Sequence, residues 1–288
     1  MAVLLERIGR VAPLGIRFHD AVTGVPIPDS LHVVGYPNIA PVQRRTAFTN
    51  ASGVYVLQNL AGLRAIENGE GDEDFWATLP PPQVYTIEVT DLRGRYLPCR
   101  FEANVPTRGV FELPCLPVES PPMQPQTSIP LFTNAGRTVI GGRAIVRANL
   151  YDPVRDRAAA WALVELHFDG RRLARALADP LGGVLLDFPY PDPIDFLPES
   201  PLSTGVSLTS QAWTLEIRAG YLPLPADQTR LDLCAALSQP TATIWNIWDA
   251  PSGVTPLTEI TLEFGRELIL RTQDADSGLD LSVLFVTS

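Results

Sequence analysis

Thr49-Asn50-Ala51-Ser52-Gly53-Val54-Tyr55-Val56-Leu57 decides the fold, because a looser copy returns at Ala178-Asp179-Pro180-Leu181-Gly182-Gly183-Val184-Leu185-Leu186. In each, a side chain suited to capping a turn (Asn50, Asp179) precedes by three residues a glycine (Gly53, Gly182) suited to the last position of a type I turn. β-favouring apolar residues follow at once. Both stretches therefore read as a tight turn that launches a buried strand.

Around the first copy, strands are expected at Gly15–Phe18, Leu31–Val34, Val54–Leu57, Val84–Val89, Arg100–Val105 and Val110–Leu113, with a hairpin at Asp91–Tyr96. Val84-Tyr85-Thr86-Ile87-Glu88-Val89 alternates with period two, as a half-buried strand does. Glu67–Asp74 is too acidic for a core and is expected to be an exposed loop. About seven strands of this kind make one β-sandwich.

Pro117–Pro130 holds five prolines and reads as an extended, semi-stiff connector. It divides the chain into an N-terminal sandwich (1–116), a linker (117–130) and a C-terminal sandwich with extra loops and closing strands (131–288). In the second half, Asp152–Asp156 stands where Asp20–Gly24 stood in the first. Asp20 to Asn50 is 30 positions and Asp152 to Asp179 is 27, so turn, strand and turn recur in order and suggest a duplicated sandwich. Further strands are expected at Val139–Leu150, Trp161–Phe168, which ends in the Asp169-Gly170 hairpin, Trp213–Arg218, Glu259–Phe264, Glu267–Arg271 and Leu281–Val286. Leu231–Ser238 reads as a short helix or strand. No segment longer than about ten residues has helical periodicity, so the class is all-β.

The pattern Asp20…Thr23-Gly24-x-Pro26-Ile27, Thr49-Asn50-x-Ser52-Gly53-Val54-Tyr55 and Tyr85-x-Ile87-x-Val89-x-Asp91 resembles carboxypeptidase-regulatory-like (prealbumin-like) β-sandwich domains. The likeness covers residues 15–113, and 143–220 more loosely, where the Thr-Gly-x-Pro element is missing. It implies two tandem Ig-like or prealbumin-like sandwiches with a structural or binding role and no catalysis. The whole arrangement is also similar to accessory proteins of phage-tail-like contractile injection particles, which implies a subunit of such a particle.

Composition narrows the functions further. With 45% hydrophobic and 19% charged residues over 288 positions, the chain is globular, and no apolar run approaches the roughly 20 residues needed to cross a bilayer. All 22 basic residues are arginine, and the net charge of −10 excludes a general nucleic-acid or anionic-membrane binder. The acidity is uneven: residues 1–118 hold 10 arginines against 12 acids, residues 119–288 hold 12 against 20. Met1–Arg10 lacks the features of a secretory signal, so a cytoplasmic protein is expected, or part of a particle released by another route. The three cysteines agree with that. Cys99 and Cys115 fit neighbouring strands, but small buried hydrophobes are the expected role. Without a secretory route, the acceptor triplet Asn50-Ala51-Ser52 is simply a turn.

Candidate chemistry is sparse. His19, His32 and His167 have no metal-site spacing, and no G-x-S-x-G elbow or cysteine signature is present, so no catalytic, cofactor or metal residue is assigned. Glu70, Asp72 and Asp74, or the run Asp274–Asp280, have oxygens that suit Ca²⁺, yet neither fits the EF-hand pattern and both are expected to be solvated loops. Thr243-Ile244-Trp245-Asn246-Ile247-Trp248-Asp249 is the most distinctive local feature. Three positions apart, Trp245 and Trp248 face opposite sides of a regular strand. Either both are buried between layers, or one is exposed as an interaction surface, for a protein subunit more than for a sugar. The expected function is a non-enzymatic structural or adaptor subunit of a large assembly, most specifically a contractile injection particle. Its partners would be other protein subunits or further copies of itself, with no nucleic acid and no membrane insertion. The alternative is a carbohydrate-binding or adhesive module.

Overall fold

The computed structural model describes residues 11–64, 66–69, 72–79, 81–115, 127–139, 141–191, 211–223, 230–248 and 255–288. The described residues are all-β, with multiple sheets and two helices of five residues each. They form two compact units that do not divide the chain at a single point. Asp232–Cys234 belongs to the first unit, with Met1–Asp20 and Gly24–Leu131; Ala21–Thr23, Phe132–Leu231 and Ala235–Ser288 form the second.

In the first unit the strands are β1 (Leu14–Ile16), β2 (Phe18–Asp20), β3 (Leu31–Pro37), β4 (Arg45–Thr46), β5 (Phe48–Thr49), β6 (Tyr55–Leu57), β7 (Gln83–Asp91), β8 (Cys99–Val105) and β9 (Ile129–Leu131). One sheet has the order β1-β6-β5; a second runs Leu231–Asp232, then β8-β7-β3-β4. Alternate residues of β7 and β8 are buried, so one face of that sheet carries the core. The two sheets meet there: a Cβ on Gly35 of β3 would lie 3.0 Å from a Leu57 methyl of β6. Phe18 packs edge-on to Tyr55 at 5.3 Å between centroids.

Two expectations change here. The acidic run is not an exposed loop throughout: Glu67 is buried, and the end of the run is helix, where α1 (Glu73–Ala77) begins with the Asp72 carboxylate accepting the Phe75 N–H at 2.8 Å and Glu73 pairs with Arg108. The proline connector lies outside the described residues over 117–126, but its end is strand. Ile129 and Pro130 are in β9, which runs parallel to β2, and the Ile129 N–H donates to the Arg17 carbonyl at 2.8 Å.

The Leu231–Asp232 strand already placed beside β8 is β16; the second unit contains β10 (Ala144–Asp152), β11 (Arg157–Ala158), β12 (Leu163–Phe168), β13 (Arg171–Leu177), β14 (Gly183–Phe188), β15 (Ala212–Gly220), β17 (Thr241–Trp248), β18 (Thr255–Pro256), β19 (Glu259–Glu263), β20 (Leu268–Leu270), β21 (Gln273–Asp274) and β22 (Leu284–Thr287). Its strands join one hydrogen-bonded network because long strands change partners along their length. On one edge β10 passes from β14 (Ala144–Asn149) to β11 (Tyr151–Asp152), and on the other from β20 (Val146–Ala148) to β22 (Leu150–Tyr151); β15 passes from β19 to β17. Leu150, Leu166, Leu186, Trp213, Leu215, Ile244, Leu262, Leu284 and Val286 share one core.

The turns behind the repeat are built alike. The Asn50 side-chain oxygen accepts the N–H groups of Ser52 and Val54 at 2.9 and 3.0 Å; that of Asp179 accepts those of Leu181 and Gly183 at 2.8 and 2.9 Å. Gly53 and Gly182 donate back to the carbonyls of Asn50 and Asp179, each at 3.0 Å, and have φ of 71° and 85°. Asp91 heads a third such turn through Arg93 and Arg95, closed by Gly94.

The repeat extends to a buried polar pair. Asp20 and Asp152 are 3% and 0% exposed, and each accepts a buried tyrosine hydroxyl: Tyr96 to Asp20 at 2.9 Å, Tyr221 to Asp152 at 3.2 Å. Burial, then the Asp152 charge, push the Tyr221 hydroxyl above its ordinary value, so it remains a donor at neutral pH. Tyr96→Phe and Tyr221→Phe each leave a buried carboxylate one donor short. Each is expected to cost about 2 kcal/mol, read from urea unfolding midpoints; unchanged midpoints in both would contradict the pairing.

The cysteines also depart from expectation. Cys115 and Cys234 form a disulfide across 119 positions of sequence, within the first unit. Of Cys99 and Cys115, both expected to be small buried hydrophobes, Cys99 is the buried free thiol, and burial, then the Asp232 charge, push it up to about 12. The pair came together because Asp232–Cys234 returns to the first unit, which local sequence does not reveal. A disulfide persists in oxidising surroundings, so the cysteine count no longer supports a cytoplasmic location. No helix among the described residues is long and apolar enough to cross a membrane.

Candidate aromatic docking face

β17 carries the two tryptophans, and they do not face opposite sides. Its pairing with β18 sets Trp245 opposite Pro256 and Ile247 opposite Thr255, so two residues of β17 span one step of β18. Asn246 is the extra residue of a β-bulge, which shifts the alternation by one and returns Trp248 to the face of Trp245. The indoles consequently meet at 5.5 Å between centroids with 69° between planes.

Two further aromatics complete the face. In register, Trp245 is opposite Phe285 of β22, and Phe285 is opposite Tyr151 of β10, giving a row across three strands. Phe285 packs edge-on to Trp248 at 5.5 Å and 89°, and lies 6.0 Å from Tyr151. The neighbours Leu150, Ile244, Leu284 and Val286 point into the core, which leaves this row half-buried on the outer face. It is firmly held: the Trp245 indole N–H donates to the Thr287 hydroxyl at 3.0 Å, and buried Thr272 donates to the Trp245 carbonyl at 2.7 Å while accepting the Phe285 N–H at 2.8 Å. The Tyr151 hydroxyl donates to Asp156, which raises its pKa. Sequence reading missed Tyr151 and Phe285; their only signal is that each alternates with a core residue on a strand.

Beside Trp248 sits an acidic loop. β21 pairs in parallel with β17, Trp248 opposite Asp274, and the Ala275 N–H donates to the Trp248 carbonyl at 3.3 Å. The Ser277 N–H and hydroxyl both reach the Asp274 carboxylate, at 2.7 and 2.8 Å, and hold its pKa below the usual range. Asp274 thus caps its own turn. Asp72 caps α1, Asp74 lies within that helix, and Glu70 falls outside the described residues. Among the described residues no group of three or more metal-ligating side chains forms.

The histidines are not brought together. His32 is exposed; His167 lies 3.2 Å from Glu165, itself bound by Arg175; His19 Nδ1 lies 3.0 Å from the Ser128 hydroxyl. Burial, against the raising effect of adjoining Asp20, holds the His19 imidazole below its ordinary value.

No known family matches the chain, and no curated protein does. Among solved structures it is similar to BcpA, the major pilin subunit of Bacillus cereus, at 8% identity and a TM-score of 0.21, over 94% of this chain and 55% of the pilin. A substituted form of the same pilin gives 8% identity and a TM-score of 0.19, over 91% of this chain and 60% of that one. The chain thus spans little more than half the length of these structures, and superposition this loose assigns neither fold nor function.

Proposed function

We propose that the chain is a non-enzymatic structural or adaptor subunit of a larger protein assembly and docks through the row Tyr151–Phe285–Trp245–Trp248. The observation that carries this is the half-buried aromatic row on a rigid sheet face. Aromatic side chains of this kind, already ordered, give up little entropy on docking and dominate interface energetics. The two units are read as variants of one prealbumin-like sandwich plan, supported by the shared turns and the repeated Asp–Tyr pair.

The assembly to examine first is a phage-tail-like contractile injection particle, with the protein as a cap, baseplate or tail-associated component. A released particle also suits the disulfide, which survives outside the cytosol. Particles sedimented from the source cells are expected to contain the chain at fixed stoichiometry with tube, sheath or baseplate proteins. Its absence from them, together with unaltered particles after its deletion, overturns that assignment. The adhesive or carbohydrate-binding reading fits the same aromatics less well. Trp245, Trp248 and Phe285 pack edge to face, whereas a flat platform for sugar rings needs exposed faces aligned side by side.

A further inference from the structure

We propose that the aromatic face takes up a cationic segment of a protein partner, an arginine- or lysine-bearing stretch whose charge lodges between the Trp248 indole and the carboxylates of the Asp274–Asp280 loop. This rests on the docking reading above and adds the chemistry of the partner. The loop cannot drift from the tryptophan, because β21 is in register with β17 at Trp248 and the Ala275 N–H is bonded to the Trp248 carbonyl. Its far end is tied back as well: Gln273 bridges to Asp280, and the Gly278 N–H donates to the Asp274 carbonyl at 2.8 Å.

The charge at this end is acidic and uncommitted. Asp276 and Asp280 are exposed, and among the described residues neither is ion-paired with an arginine. Arg271 begins the segment, one guanidinium against the carboxylates of Asp274, Asp276 and Asp280. At the Tyr151 end of the row the arginines are engaged elsewhere: Arg155 binds the buried Asp152 carboxylate at 2.9 Å, and the Arg157 side chain is hydrogen-bonded to the Tyr221 hydroxyl. A cation over an indole is worth about 0.5–2 kcal/mol, and an adjoining carboxylate rim adds steering and register. An isologous contact with a second copy would set acidic loop against acidic loop, and a polyanion would be repelled.

The test uses the full chain and two acetylated dodecapeptides, identical except that four arginines in one are glutamates in the other, with binding read from the indole N–H resonances of Trp245 and Trp248. The arginine peptide is expected to shift both resonances and to bind at least about tenfold more tightly than the glutamate peptide. Asp276→Asn with Asp280→Asn is expected to weaken it about three- to tenfold and to flatten its salt dependence, with an unchanged thermal midpoint. Equal binding of the two peptides, or an unaffected double variant, overturns the proposal. So does concentration-dependent self-association lost in Trp248→Ala, since the occupant is then a second copy. If the native assembly is lost in Trp248→Ala but intact in the double variant, the cationic partner is rejected and the assembly reading stands. If neither variant disturbs it, both are rejected.

Discussion

Gly182→Ala is expected to cost about 4 kcal/mol or to prevent folding, while Gly53→Ala at the equivalent turn costs about 1–2 kcal/mol. Both glycines have left-handed φ, 85° and 71°, so each substitution carries backbone strain. They differ in what the new methyl would meet. At Gly53 the nearest atom is the Pro28 Cβ at 3.3 Å, which a small shift accommodates. At Gly182 it is the Leu150 carbonyl oxygen at 2.2 Å, and the same two residues are joined by the Leu150 N–H donating to the Gly182 carbonyl at 2.8 Å. Relieving the clash means breaking that bond where β10 leaves β14 for β11. Paired urea unfolding curves measure the difference, and equal losses at the two glycines would show that the second turn does not press on β10.

Replacing Cys115 and Cys234 together by serine is expected to remove several kcal/mol of stability. Chain entropy alone sets a scale of about 5 kcal/mol for a closed loop of this size, the two cysteines being 119 positions apart. Alkylation counts give an independent reading. The native protein should take up no label, because Cys99 is buried and its thiol stays protonated with a pKa near 12. Unfolding without reductant should expose one thiol, and unfolding with reductant all three. Three labels without reductant would mean that the disulfide does not form.

What the sequence revealed was what a few neighbouring residues decide. An Asx side chain and a glycine three positions on are enough to specify the turns at Asn50 and Asp179, and both launch buried strands as expected. Asp20 and Asp152 were legible as corresponding turn positions, but their tyrosine partners lie 76 and 69 residues away and carry no local mark. The placement of the tryptophans failed for a related reason. Alternation counted along β17 is right for a regular strand, and the bulge at Asn246 is imposed by how β17 pairs with Thr255–Pro256. The helix at Glu73–Ala77 had a readable start in Asp72 followed by acids in the first turn, a signal hidden by the length of the acidic run.

The most direct test of the docking role is the native mass of the protein in extracts of the source cells, by size-exclusion chromatography with light scattering, for the wild type beside Trp248→Ala. The wild type is expected in a large particle or a defined ring. The variant, folded by circular dichroism, is expected near the chain mass of 31.4 kDa. A wild type found alone at that mass, or a variant that remains in the same particle, would contradict the assignment of the aromatic row as the assembly face.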